Sequence, residues 1–169
     1  MKVLGIDPGT AVLGYGLVEG GPGVPARLLE CGVLRTGARD SLADRLRLIH
    51  EELTSLVARL APDTMAVEGI FYGRNVRTTV VLGHARGVIL LVGATAGLPI
   101  AEYAPAAVKR TVVGRGAATK PQVGYMVAQL LRLKAAPRPA DAADAVAIAL
   151  THLLTVGHRP ARPSGGRRR

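Results

Sequence analysis

The first ten residues, Met1-Lys-Val-Leu-Gly-Ile-Asp-Pro-Gly-Thr10, constrain the chain more than any other stretch. Lys2 to Ile6 reads as a strand apolar on both faces, which suits a central strand buried from both sides. The run stops at Asp7, and Pro8-Gly9 signals an immediate chain reversal. A carboxylate at the mouth of a buried strand is partly withdrawn from water, where an unpaired charge is costly. Two readings stand open at Asp7. It organises the turn through its own backbone two residues on, or it helps to hold a divalent cation.

The remaining chain alternates strands and helices. Gly14 to Glu19 is a second strand, Gly20-Gly-Pro-Gly23 a turn and Arg27 to Arg35 a third strand, an antiparallel meander with the first. Ser41 with Asp44 forms a variant capping box. Leu42, Leu46, Ile49, Leu53, Leu56, Val57 and Leu60 then recur at helical spacing as far as Ala61-Pro62. Thr64 to Glu68 is a short buried-type strand that again ends in a carboxylate, followed by the loop Gly69 to Asn75. A long helix from Val76 to Ala96 carries Gly83, Gly87 and Gly93, each costing about 1 kcal/mol against alanine unless close packing needs it. Pro99 to Tyr103 is a fifth strand, and helices follow at Pro105–Val113, Lys120–Leu133 and Asp141–Val156. This order predicts an α/β domain with a five-stranded mixed sheet and helices on its faces. Strands one and four pair in parallel through a helical crossover. Asp7 and Glu68 then meet at the strands' C-terminal ends, where an open sheet holds its site.

Asp141-Ala-Ala-Asp144 supplies two more acids on one face of the last helix. Capping and dipole pairing account for them as well as a site does. Taken together, the four carboxylates offer the hard oxygen ligands that Mg²⁺ or Mn²⁺ prefers. Two such ions about 3.5–4 Å apart activate water and stabilise the leaving oxygen of a phosphodiester. No zinc motif, nucleophile elbow, P-loop or dinucleotide fingerprint competes. His152 lies two turns beyond Asp144, where packing and a supporting role are both open.

Charge points to the partner. Of the +10 net charge, five arginines fall in residues 157–169, a Pro- and Gly-rich stretch read as a disordered basic tail to a nuclease-sized domain of residues 1–156. From Glu102 to Asp141 there is no acid, while Lys109, Arg110, Arg115, Lys120, Arg132, Lys134 and Arg138 all lie between. A one-sign belt within a folded domain favours a polyanion, nucleic acid first. The single Cys31 excludes an internal disulfide and suits a reducing cytoplasm. No signal peptide is evident, and Val88 to Leu98 is short for a bilayer, so no membrane partner is expected.

The segments Gly5-Ile-Asp-Pro-Gly-Thr10, Ala66-Val-Glu68, Lys109-Arg-Thr-Val-Val-Gly114, Ala118-Thr-Lys120 and Ala140-Asp-Ala-Ala-Asp-Ala145 occur in order and resemble the bacterial RuvC Holliday junction resolvases. The likeness spans nearly the whole chain up to about residue 157. It implies a ribonuclease H-like fold and cleavage of four-way DNA junctions. It also implies Asp7, Glu68, Asp141 and Asp144 as catalytic ligands of Mg²⁺, with two ions per site and Mn²⁺ as a substitute. Lys109 and Lys120 are implied to contact phosphates, and Phe71 junction bases. Tyr72 and Arg74 in the same loop, and Arg115 in the basic belt, join them as expected DNA contacts. Some members carry histidine where this chain has Asp141.

The resulting expectation is a cytoplasmic homodimer, one site per subunit matching a two-fold substrate, with the glycine-bearing helix as the candidate interface. A branch-migration helicase complex is the further partner that the resemblance implies. The enzymatic alternative is a ribonuclease H-like nuclease acting on RNA–DNA hybrids or damaged DNA. A sugar-kinase or actin-like nucleotide binder needs a second lobe and a second phosphate loop that this chain lacks. A non-catalytic DNA-binding module leaves the strand-end acids unexplained.

Overall fold

The computed structural model describes residues 1–37, 39–69 and 76–157. Five strands and five helices follow one another as β1 (Lys2–Asp7), β2 (Val12–Gly21), β3 (Val24–Arg35), α1 (Leu42–Leu60), β4 (Thr64–Glu68), α2 (Val76–Thr95), β5 (Ile100–Tyr103), α3 (Pro105–Val113), α4 (Lys120–Leu130) and α5 (Ala140–Gly157). The sheet order is β3-β2-β1-β4-β5. β1 runs antiparallel to β2 and parallel to β4, and β5 continues the parallel half. The mixed sheet expected from the element order is therefore present.

Alternation along each strand sorts the core into two. Leu4, Ile6, Met65 and Val67 point to one face, under Ile49, Leu53 and Leu56 of α1 and Ala85, Ile89 and Val92 of α2. Val3, Val18 and Ala66 point to the other, under Val108, Val112, Val123, Val127 and the buried face of α5. Cys31 is half-buried at the edge of this second core, and burial raises its thiol pKa.

Local signals set most boundaries. Ser41 caps α1, its Oγ accepting from the Asp44 N–H at 3.2 Å, and Ala61 closes the helix in the left-handed region before Pro62. Two expectations needed correction. The meander strands are longer than glycine content suggests, because Gly20 and Gly21 stay within β2 and the turn is confined to Pro22-Gly23. Helix α4 stops three residues early: Arg132 takes the left-handed conformation, and the Leu133 N–H donates to the Ala128 carbonyl at 2.8 Å. That is a Schellman closure with arginine where glycine is usual.

By length and composition α2 and α5 each pass for a membrane-crossing helix, so the apolar run at Val88 belongs to a longer apolar element than its own length implied. In the fold α5 is mostly buried against the sheet, while α2 lays only one side upon it.

Candidate active site

Asp7 and Glu68 are the last residues of adjacent parallel strands, one step beyond the Ile6–Val67 pair. By strand alternation Asp7 shares a face with Val3 and Gly5, and Glu68 with Thr64 and Ala66. Both acids therefore rise on the α5 side.

What lets α5 come close is glycine. Gly5 pairs with Gly16, and Asp7 with Gly14, across β1 and β2. A Cβ on Gly5 would strike the Ala145 carbonyl oxygen and lie 2.7 Å from the Ala149 nitrogen. One on Gly14 would strike the Asp141 carbonyl, and one on Gly16 would lie 3.0 Å from the Val146 Cα. Helix backbone rests on strand backbone, with Ala142, Ala145 and Ala149 fully buried in the contact. The first turn of α5 is thereby pinned over the end of β1, bringing Asp141 and Asp144 to Asp7. Sequence reading missed this role of the three glycines. The period-two spacing of Gly14 and Gly16 in β2, opposite an alanine-rich helix, was the available signal.

A cleft of about 260 Å³ is lined by Asp7, Glu68, Asp144, Lys109 and Lys120, with Pro105, Val108, Val123, Ala147 and Ile148 behind them. Asp141 does not line it, but its charge bears on both Asp7 and Lys120. Burial, then the charges of Glu68, Asp144 and Asp141, push the Asp7 pKa up to about 8. Burial and Asp144 also raise Glu68, while Lys120, a hydrogen bond with Asp7 and Lys109 pull it down. Asp7 and Glu68 are hydrogen-bonded to each other, which favours the charged form of Glu68. Lys120 Nζ binds Asp144 Oδ2 at 2.5 Å, which raises the lysine pKa.

Among the described residues no three of these ligand types converge tightly enough to grip a cation as they stand. In this arrangement Lys120 holds Asp144, and Asp7 and Glu68 are hydrogen-bonded to each other. The donor set nonetheless fits a hard divalent cation: oxygen ligands only, two of them, Asp7 and Glu68, raised in pKa by burial and by neighbouring acids.

Of the basic residues expected to meet DNA, Lys109 and Lys120 reach the cleft. Arg115 is exposed in the α3–α4 connection, outside the cleft lining. Phe71, Tyr72 and Arg74 lie outside the described residues, as does the basic stretch 158–169. His152 is buried, and its Nδ1 shares a 2.9 Å hydrogen bond with the Tyr103 hydroxyl.

A family model described as crossover junction endodeoxyribonuclease RuvC matches residues 3–152. Proteins of that name from Parafrankia sp. (strain EAN1pec) and Roseiflexus sp. (strain RS-1) are 52% and 50% identical over 153 and 151 residues. The alignments cover 90% and 89% of this chain and 86% and 89% of those relatives. The structure of Thermus thermophilus RuvC is similar with a TM-score of 0.84 at 40% identity, covering 92% of this chain and 95% of that one. T. thermophilus RuvC in complex with Holliday junction substrate matches with the same TM-score and coverage at 36% identity. The yeast mitochondrial Holliday junction resolvase Ydc2, at 15% identity and a TM-score of 0.65, covers 90% of this chain and 77% of its own, and shares the fold.

Proposed function

The chain belongs to the RuvC family of crossover junction endodeoxyribonucleases, and from that membership we propose which of its residues perform the reaction. The protein is a Holliday junction resolvase, a DNA endonuclease that depends on a divalent metal. Asp7, Glu68, Asp141 and Asp144 are the proposed metal ligands. The observation that carries this is Asp7: three neighbouring acids press on it, and its own burial withdraws it from water. Mg²⁺ is the proposed ion, two per site with Mn²⁺ able to replace it, and would supply an activated water and a stabilised leaving oxygen.

The chain's own residues prepare for that. Asp7, Glu68 and Asp144 would hold the ion with Asp141 beside them, and Lys120, which now pairs with Asp144, would meet the phosphate whose charge the carboxylates otherwise repel. Lys109 lines the same cleft from α3 and would approach that phosphate with it. Arg115, Phe71, Tyr72 and Arg74 are proposed to extend the DNA contact beyond the scissile phosphate, with Phe71 stacking on an unpaired base near the crossover.

Two copies are proposed to act together, making symmetric cuts. Support comes from α2, where Val76, Val80 and Leu91 are 74%, 53% and 56% exposed. Gly83 and Gly87 between them face open space, whereas Gly93 packs on Ile100 and Met65. An exposed apolar stripe of this kind is suited to a second subunit. A branch-migration helicase complex is the proposed further partner and the cytoplasm the proposed location.

The test uses a four-way junction, a duplex and an RNA–DNA hybrid, each with Mg²⁺ and with EDTA. Paired nicks in the junction alone, abolished by EDTA, are expected. Preferential cutting of the hybrid, or cleavage in EDTA, would overturn the reading.

A further inference from the structure

Three pieces of the cleft meet at Tyr103. It ends β5 in register with Glu68, and its carbonyl accepts the N–H of Gly69 at 2.8 Å. It also precedes Ala104, the residue that opens α3 and so sets where Lys109 falls. Its hydroxyl shares the 2.9 Å hydrogen bond with Nδ1 of His152, the two rings meeting edge to face with centroids 5.9 Å apart. His152 stands on α5, the helix that carries Asp141 and Asp144.

A hydroxyl and an imidazole are a costly choice for a contact that apolar packing alone would make, because the buried His152 must keep a partner and the half-buried Tyr103 gives up part of its hydration to supply one. His152 is only 8% exposed, and α5 around it is lined by Ile148, Ala149 and Leu153. What the polar pair adds is direction. Apolar side chains slide past one another at small cost, whereas a hydrogen bond fixes distance and angle.

We infer that the Tyr103–His152 hydrogen bond is a cross-brace that positions Glu68 and Lys109 relative to Asp141 and Asp144. Both are positioning residues, since neither lines the cleft. The inference rests on the four-carboxylate reading of the site and adds to it what holds its two halves in register. The glycine contacts fix α5 against β1 and β2, on one side of Asp7. The brace fixes it against β5, on the far side of Glu68.

The test is Mn²⁺ binding to the full chain, followed by loss of the free-ion electron paramagnetic resonance signal, with junction affinity measured in EDTA. Tyr103→Phe keeps the ring and removes the bond, His152→Leu removes it from the other side, and His152→Asn retains a polar group where Nδ1 stood. Tyr103→Phe and His152→Leu should each need about tenfold more Mn²⁺, the size expected when a supporting hydrogen bond is lost. His152→Asn should stay within about twofold of the parent, and junction affinity should not move in any of the three. Parental Mn²⁺ binding in both Tyr103→Phe and His152→Leu would overturn the brace, whatever their melting temperatures. So would His152→Asn behaving as His152→Leu does. Asp144→Asn in the same series separates the two ideas, because undiminished Mn²⁺ binding there would defeat the carboxylate site itself.

Discussion

The two faces of the sheet are packed on different principles. Beneath α1 and α2, large side chains meet large side chains: Leu4, Ile6 and Met65 against Ile49, Leu53 and Ile89. Beneath α5, Gly5, Gly14 and Gly16 meet helix backbone with almost nothing between. A side-chain interface can absorb a change of one methyl by repacking, whereas a backbone-on-backbone contact has no soft layer to yield. The catalytic acids of the proposed site are carried on the stiff face. Precision of their placement follows from the residues that have no side chain, and tolerance belongs to the opposite face.

The sharpest way to break this contrast is a single methyl. Gly5→Ala is expected to destabilise the fold by about 3 kcal/mol or more, and Gly14→Ala to displace Asp141 and abolish metal-dependent cleavage. Chemical denaturation and junction cleavage measure the two, and near-parental values in both would mean that α5 has room to shift. Next is Asp7→Asn, which should remove cleavage by about a thousandfold or more while junction binding holds or improves, since one negative charge facing phosphates is gone.

The same variant reports on the stored charge. The Asp7 pKa lies near 8 in the folded, metal-free protein against 3.8 without perturbation, so the folded state holds the proton more tightly. That contribution is fully present below about pH 4 and is lost as pH rises through 8. Melting temperature of the metal-free protein should therefore fall between pH 5 and 8, and Asp7→Asn should melt about 5 °C above the parent at pH 8. A flat profile in the parent would mean that the four acids are better solvated than their burial implies.

Smaller effects sharpen the comparison. Lys109→Ala and Lys120→Ala should each reduce the slope of log affinity against log salt by about one unit, whatever the DNA sequence. On the tolerant face, Ile89→Val should cost about 1 kcal/mol and leave cleavage unchanged. A loss of activity there would show that strain crosses the sheet.

Local chemistry carried much of this into the sequence. Ser41 with Asp44 and Ala61 with Pro62 mark the ends of α1, and the short, largely apolar runs before Asp7 and Glu68 mark β1 and β4, because caps and periodicity act over a few residues. The parallel crossover between those strands follows from chain connectivity, so the meeting of Asp7 with Glu68 was legible too. The early stop of α4 was not, since Arg132 carries no mark of the left-handed conformation that the packing of Leu133 imposes.

The amino-acid sequence by itself determined which residues can ionise, which runs can form strands and helices, and the order in which the sheet must be threaded. Tertiary structure alone decided how close α5 comes to β1, and hence how far the Asp7 pKa rises, that Lys120 closes on Asp144, and that Tyr103 finds His152 across 49 residues. Those outcomes depend on distances between segments remote in the chain. Coulomb energy and hydrogen bonding change steeply over an ångström, and no periodicity in one segment records its distance to another.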